Sequence, residues 1–153
     1  AGLIRDGVRT LAAAGVPAYI DAGNSGWIAP EVMAARLRDA GIADARGFAT
    51  NVSGFRTTAS ERTYAERVRS ALGGTARYVI DTSRNGRGWT GEWCNPPGAG
   101  LGSTPRAVSG AGGLDALLWI KRPGESDGDC NGGPGAGRWF EKAALDLVAR
   151  RQT

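Results

Sequence analysis

The sequence predicts an α/β fold in which parallel strands alternate with helices, as in half of a β/α barrel or one side of a doubly wound sheet. Short apolar runs alternate with segments of helical periodicity along the chain, an order that implies parallel pairing through right-handed crossovers. All four predicted strands release polar residues at their carboxyl ends, where such folds place their sites. No phosphate-binding glycine motif opens a helix, which argues against a nucleotide site.

The first half of the chain contains two predicted helices and two predicted strands. Apolar residues recur at helical spacing from the third residue onward, which predicts a helix over about residues 3–14. A short strand follows at 18–21. Pro30 begins a helix that runs to about residue 40, because proline in the first helical turn loses no hydrogen bond. The next strand covers 47–52.

The second half repeats this alternation around two long glycine-rich loops. A helix over about 58–72 ends before Gly73 and Gly74, since glycine readily adopts the left-handed conformation at a helix C-terminus. The remaining predicted segments are a strand at 76–81, a loop at 83–113, a strand at 114–121, a loop at 122–137 and a helix at about 138–151.

Composition limits the classes of function. The 153 residues fit one domain, and the basic residues are scattered without forming a tract, so we predict no nucleic-acid surface. No apolar run approaches the roughly 20 residues of a membrane span. The chain has no histidine and no metal-ligand spacing, so we predict neither a metal nor a cofactor. It opens with Ala1 rather than Met, directly before a helix, and we expect a piece of a longer protein.

The strand at 114–121 and the loop after it are the most informative segment. The strand ends at Lys121, and Glu125 and Asp127 follow among glycine and proline. Enzymes of the α/β class build active sites in this way, although a solvated turn has the same spacing. The other strands favour the active site because they also end in polar residues, namely Asp21 and Asn24, Asn51 and Ser53, and Asp81, Arg84 and Asn85.

Three tryptophans lie in the predicted loops: Trp27, Trp89 and Trp93. Flat apolar platforms beside carboxylates, amides and cations suit a sugar, which has an apolar face and a rim of hydroxyls. The alternative is that one or two of them only close a loop against the barrel. Trp119 falls within a strand and Trp139 at the start of the last helix, and we predict that both belong to the core.

The two cysteines, Cys94 and Cys130, lie about 36 residues apart in the two glycine-rich loops. A disulfide closing such a loop stabilises the fold by roughly 4 kcal/mol in the chain-entropy model. Two free thiols in a cytosolic protein are the alternative, and the cysteine count leaves both open.

Five segments together resemble the C-terminal half of the catalytic domain of glycoside hydrolase family 6, the inverting cellulases, and most of all its bacterial endoglucanases. They are YIDAGNSGW at 19–27, RGFATNVS at 46–53, IDTSRNG at 80–86, GEWCNPPG at 91–98 and WIKRPGESDG at 119–128. The resemblance implies a partial, distorted, TIM-like β/α barrel. Residues 1–153 would form the C-terminal portion of one catalytic domain whose N-terminal part is absent.

The resemblance also implies roles for charged residues. Asp127 would be the catalytic base that helps to activate water, with Arg84 and Lys121 paired to it. Two nearby cations keep a carboxylate ionised, as a base must be. Lys121 and Glu125 would in addition bind sugar hydroxyls.

The implied partner is a β-1,4-glucan, either cellulose or a cello-oligosaccharide, bound without a cofactor by a monomeric domain. Trp27 and Trp93 would be stacking platforms on opposite sides of the cleavage point. Asp21, Asn24 and Asn51 would line the cleft. Asn24 stands where the family often has histidine, so its contact with the glucan would be weaker or different.

The cysteines match a family disulfide, which implies a secreted, extracellular protein. The loop from Asp127 to Cys130 is short, whereas chain-end-acting members carry a longer loop that helps to roof a tunnel. We therefore expect an open cleft and internal cleavage. Asp81, at a strand end, is expected to be buried and bonded to backbone or to arginine.

The family's general acid lies on an earlier strand, and no residue of this chain matches it. Because inverting hydrolysis needs both an acid and a base, we expect the 153-residue piece alone to be inactive. Two alternatives stay open: a carbohydrate-binding remnant that has lost catalysis, and a half-barrel that pairs as a homodimer.

Overall fold

The computed structural model describes residues 1–109 and 112–152, which contain one sheet with helices between its strands. The helices are α1 (Gly2–Ala13), α2 (Pro30–Asp39), α3 (Thr58–Ala71) and α4 (Glu141–Ala149), with a short 3-10 helix at Ile42–Asp44. The strands are β1 (Tyr19–Asp21), β2 (Gly47–Thr50), β3 (Arg77–Asp81), β4 (Arg106–Ala107) and β5 (Leu114–Leu118). No helix in this part of the chain is long and apolar enough to cross a membrane.

The strand order is β1-β2-β3-β5-β4, and the sheet is open. β1, β2, β3 and β5 pair in parallel, which confirms the predicted α/β alternation. β4 pairs antiparallel with β5 and was missed, because two exposed residues inside a long loop carry no strand pattern. β2 ends before the predicted boundary because Asn51 and Ser53 adopt left-handed conformations, with φ of 62° and 59°.

The main core joins α2 and α3 to the strands. The Phe48 and Tyr78 rings stack with their centroids 5.7 Å apart, beside the buried side chains of Leu37, Val68 and Ile80. α3 begins at a capped N-terminus, where the Thr57 side chain accepts a hydrogen bond from the Ser60 N–H. A second cluster, formed by Phe55, Ala99, Leu101 and Leu147, lies where the long loop meets α4.

The two tryptophans predicted for the core differ in placement. Trp119 follows β5, is partly buried against the second cluster, and donates its Nε1–H to the Ser103 carbonyl at 3.0 Å. Trp139 is 64% exposed, so its core prediction is wrong. α4 begins only at Glu141, and the Trp139 ring instead covers Gly124, where a Cβ atom would lie 2.2 Å from the ring.

Asp115 on β5 links the amino ends of the four parallel strands. Its carboxylate accepts hydrogen bonds from the Tyr19 hydroxyl at 2.6 Å, from Arg46 at 2.9 Å and from Arg77 at 2.8 Å. Partial burial acts to raise the pKa of Asp115, but these hydrogen bonds outweigh it and hold the pKa well below its usual range. This network fixes one end of the sheet and leaves the carboxyl end for the site.

Candidate active site

Asp81, the last residue of β3, joins three strand ends through backbone hydrogen bonds. The side chain is fully buried. Its Oδ2 accepts from the N–H groups of Ser53 and Lys121, both at 3.0 Å, and its Oδ1 accepts from the Ser83 N–H at 2.8 Å. The expectation of a buried, backbone-bonded aspartate is confirmed. These bonds bring the segments after β2, β3 and β5 to one place.

At that place Asp127 forms an ion pair with Arg84. The distance from Arg84 Nη1 to Asp127 Oδ2 is 2.7 Å, and the two side chains are only 6% and 8% exposed. Lys121 Nζ lies 3.8 Å from the other carboxylate oxygen, Oδ1. Asp127 therefore lies between two cations.

Arg84 is itself held on two further sides. Its Nη2 donates to the Ser53 carbonyl, and its guanidinium carbon lies 4.4 Å from the centroid of the Phe55 ring. A planar guanidinium suits such combined stacking and hydrogen bonding. Phe55 thus orients the cation that faces Asp127.

Lys121 lies between two carboxylates, those of Asp127 and Glu125. Lys121 Nζ lies 3.6 Å from Glu125 Oε2, and the exposed Arg122 also contacts Glu125. A cavity of about 250 Å³ opens beside Arg84, Asn95 and Glu125 and extends to α4. Of the charged cluster, Arg84 and Glu125 line this cavity, where a cation and a carboxylate can each bind a hydroxyl group.

The predicted disulfide is present. Cys94 and Cys130 are bonded, with 6.1 Å between their Cα atoms. The bond ties the loop that carries Trp93 to the loop that carries Asp127. Asn95, next to Cys94, reinforces this junction by donating its backbone N–H to Asp127 Oδ2 at 2.9 Å.

The three polar residues predicted to line the cleft lie in different surroundings. Asn51 is fully buried, and its Nδ2 donates to the Asp81 carbonyl at 2.9 Å, so its amide supports the wall of the cleft from within. Asn24 Oδ1 accepts from the Gly26 N–H at 3.0 Å. Asp21 Oδ1 accepts from the Gly23 N–H at 2.8 Å.

The pKa of Asp21 is raised. Desolvation of the carboxylate is the largest cause, and the charge of Asp81 adds to it, whereas the hydrogen bond from Gly23 opposes both. Asp21 therefore holds a proton more readily than an ordinary aspartate does.

Two of the three loop tryptophans present most of their surface to solvent. Trp27 is 69% exposed and Trp93 is 67% exposed. Trp89 is 42% exposed and packs on one side only: its ring centroid lies 6.5 Å from that of Phe55 and 4.7 Å from the Arg56 guanidinium carbon. The predicted platforms Trp27 and Trp93 are thus available for stacking, and Trp89 closes its loop.

The family model described as glycosyl hydrolases family 6 matches residues 1–151. The chain belongs to glycoside hydrolase family 6. Endoglucanase A of Cellulomonas fimi is 48% identical over 147 residues, which cover 96% of this chain and 32% of that protein. Endoglucanase 1 of Streptomyces halstedii is 46% identical, covering 85% of this chain and 41% of that protein.

Solved family 6 structures share the fold. The endoglucanase Cel6 of Mycobacterium tuberculosis, determined with a thio-linked methyl-cellobiosyl cellobioside, superposes with a TM-score of 0.91 at 47% identity and covers 97% of this chain and 52% of that one. Endoglucanase Cel6B of Humicola insolens gives a TM-score of 0.81 at 28% identity, covering 94% of this chain and 51% of that one. The chain thus spans about half of these solved chains.

Membership in family 6 confirms the resemblance to this family and the prediction of a partial barrel. Sequence reasoning did not single out two residues that contact the charged cluster, Phe55 and Asn95. Phe55 carries no sequence signal, because an aromatic residue in a loop is usually core. Asn95 lies beside Cys94 in the segment GEWCNPPG, and its adjacency to a cross-linked cysteine was the available signal.

Proposed function

We propose that this chain is the C-terminal part of a secreted cellulase domain that hydrolyses β-1,4-glucosidic bonds with inversion. The observation that carries the proposal is the Asp127 carboxylate, which lies between Arg84 and Lys121. The exposed rings of Trp27 and Trp93 supply the sugar platforms on the loops around it. The domain acts as a monomer on cellulose or cello-oligosaccharides and needs no cofactor.

Asp127 acts as the base in this proposal. Inversion requires a carboxylate that takes a proton from water on the face opposite the leaving group. A carboxylate acts as a base only when it is ionised, and the counter-charges Arg84 and Lys121 lie on either side of Asp127. Glu125 and Lys121 bind sugar hydroxyls beside the base, and Asp21 and Asn24 contribute to the cleft after β1.

The general acid belongs to the part of the domain that precedes this chain. No residue here matches the family's acid, and the charged cluster supplies only the base side of the reaction. Residues 1–153 are therefore inactive alone. Release of reducing sugar from soluble cellulose by the purified piece would refute this.

Internal cleavage is supported by the short connection between Asp127 and Cys130. The disulfide to Cys94 holds this connection against the neighbouring loop, so the segment is too short to arch over a bound glucan. The cleft on this side is open, and a chain can enter it away from its ends.

The experiment that tests the proposal is hydrolysis of carboxymethyl cellulose by the full-length protein that carries this chain, as wild type and as Asp127→Ala. Loss of a general base lowers the rate by about a hundredfold or more, and we expect a fall of that order in a folded variant. Little change would assign Asp127 to a structural ion pair with Arg84. Anomeric configuration of the first product, followed by NMR, tests inversion separately.

A carbohydrate-binding remnant is the second candidate, because exposed tryptophans such as Trp27 and Trp93 also occur on non-catalytic sugar surfaces. Glucan binding without hydrolysis by the full-length wild type would favour it. The completeness of the charged cluster of Arg84, Lys121 and Asp127 favours the enzyme.

A further inference from the structure

Asn95 and Asp127 bind each other through a reciprocal pair of hydrogen bonds. The Asn95 backbone N–H donates to Asp127 Oδ2 at 2.9 Å, and the Asp127 backbone N–H donates to Asn95 Oδ1 at 2.8 Å. In each bond, the backbone N–H of one residue donates to a side-chain oxygen of the other. Such a pair fixes both the position of the Asp127 backbone and the rotation of its carboxylate.

The other end of the Asn95 amide is enclosed by the loop that carries Asp127. Its Nδ2 lies 2.9 Å from the Gly128 carbonyl, 3.1 Å from the Cys130 carbonyl and 3.0 Å from Ser126 Oγ. Carbonyl oxygens can only accept hydrogen bonds, so the NH₂ group of the Asn95 amide must face them, and its Oδ1 faces the Asp127 N–H. Asn95 has φ of 44°, a left-handed conformation that asparagine tolerates better than most residues.

The two oxygens of Asp127 are consequently unequal. Oδ2 accepts from both Arg84 Nη1, at 2.7 Å, and the Asn95 N–H. Within the part of the chain that the structure describes, Oδ1 takes part in no hydrogen bond, and Lys121 Nζ lies 3.8 Å from it, a distance beyond a hydrogen bond. One oxygen is anchored, and the other keeps its lone pairs for a further donor.

We propose that Asn95 is a positioning residue, which holds Oδ2 of Asp127 against Arg84 so that Oδ1 is the oxygen that accepts the proton of the attacking water. The proposal rests on the proposed function of Asp127 as the base. A base must be held in hydrogen-bonding geometry with the proton it removes, and a shift of about 1 Å costs up to a hundredfold in rate. Asn95 supplies this constraint from the loop opposite the base.

Asn131 provides a matched control on the same junction. Its φ is 47°, and its Nδ2 donates to Glu92 Oε2 at 2.8 Å and to the Cys94 carbonyl at 2.9 Å. Like Asn95 it is a left-handed asparagine that connects the two loops. No hydrogen bond joins it to Asp127 among the described residues. A change at Asn131 therefore measures the effect of weakening the contact between the two loops without touching Asp127.

The first test compares Asn95→Gly with Asn131→Gly in the full-length protein. Glycine keeps the left-handed backbone without strain, so each change removes only the side chain. Asn95→Gly therefore keeps the backbone N–H that binds Oδ2 and loses the Oδ1 acceptor and the Nδ2 donor that hold this N–H against Asp127. We expect Asn95→Gly to lower kcat on a soluble cello-oligosaccharide at least about tenfold, with KM changed less than about twofold, because the loss concerns the base and not the glucan. Asn131→Gly should keep kcat within about twofold.

The second test compares Asn95→Asp with Asn131→Asp. A second carboxylate beside Asp127 disfavours its ionised form, so Asn95→Asp should move the acid limb of the pH–kcat/KM profile upward by about one pH unit. Asn131→Asp should leave that limb in place. The titration midpoint of the ¹³C-labelled Asp127 carboxyl, measured by NMR on the same proteins, should move in the same way and needs no substrate.

The outcomes separate the two proposals. The positioning role would be overturned by two results together. The glycine variants would lose kcat equally, and Asn95→Asp would leave both the acid limb and the titration midpoint of Asp127 unchanged. Asn95 would then only join the two loops. A midpoint that moves only in Asn95→Asp, in a wild type that does not hydrolyse glucan, would support the coupling of Asn95 to Asp127 and refute the proposed function.

Discussion

Arg84 and Asp127 form an ion pair from which solvent is almost excluded, with 2.7 Å between Nη1 and Oδ2. Burying two charges is costly unless each finds good partners. Arg84 finds the Ser53 carbonyl and the Phe55 ring, and Asp127 finds the Asn95 N–H. The pair is therefore embedded in the three segments that follow β2, β3 and β5.

Replacing Arg84 should impair both stability and activity. Arg84→Ala leaves a buried carboxylate without its main cation, which costs about 3–5 kcal/mol for a pair of this kind. Arg84→Lys keeps the charge but loses the planar contacts with Ser53 and Phe55, so we expect an intermediate loss. Thermal unfolding and kcat of the full-length variants measure the two effects. Arg87→Ala, in the same loop, is the control that should match the wild type.

Removing either exposed platform should weaken glucan binding. Trp27→Ala and Trp93→Ala each lose a stacking surface worth about 1 kcal/mol, so KM for cello-oligosaccharides should rise about fivefold for each. Trp27→Phe and Trp93→Phe should retain most of the affinity because a ring remains. Leu145→Ala, an exposed apolar residue on α4, should leave KM unchanged. An unchanged KM in both alanine variants would place the glucan elsewhere.

Asp115→Asn should destabilise the sheet at neutral pH. The depressed pKa of Asp115 means that its ionised form stabilises the fold above the usual aspartate range, and that this contribution is lost as pH falls through the folded-state value. We expect a loss of about 2 kcal/mol at pH 7, discounted because Arg46 is half exposed. Denaturant unfolding at neutral and acidic pH measures it, and the difference from wild type should shrink in acid.

Glu61 should make stability depend on pH in the opposite direction. It is fully buried on α3, and its Oε1 accepts from the Ser25 N–H at 2.9 Å, in the loop before Trp27. Burial raises the pKa of Glu61, although the hydrogen bond from Ser25 opposes the shift. Its stabilisation is complete below the usual glutamate range and is lost as pH rises through the raised value.

The variant Glu61→Gln should therefore show a flatter melting temperature over the pH range just above the usual glutamate pKa, while retaining an acceptor for the Ser25 N–H. Glu31→Gln, at an exposed position of α2, is the control. A wild-type protein whose melting temperature does not fall over this range would contradict the assignment.

Much of the architecture could be predicted because local patterns and the sheet agree. Pro30 begins α2, as its first-turn preference indicates, and the four parallel strands lie where apolar runs predict them. β4 could not be predicted, since its pairing depends on β5 and not on its own two residues. Trp139 was misplaced because an aromatic residue before a helix can cover a glycine as readily as it enters the core.

The members of the charged cluster could be predicted from the polar strand ends and the family motifs, but the contacts between their atoms could not. Sequence places Lys121, Glu125 and Asp127 in one loop, yet it does not tell which oxygen of Asp127 meets Arg84. Asn95 joins the cluster through its backbone N–H and a left-handed turn, features that residue type alone does not indicate.

Asp81 has a consequence for redesign of the site. Its carboxylate holds the segments after β2, β3 and β5 through main-chain N–H groups, which every residue type except proline supplies. Combinatorial libraries can therefore vary residue 53 among the types that tolerate its left-handed φ of 59°, whereas the fully buried Ser83 has to stay small. Within this junction, Asp81 is the residue that such libraries should leave untouched.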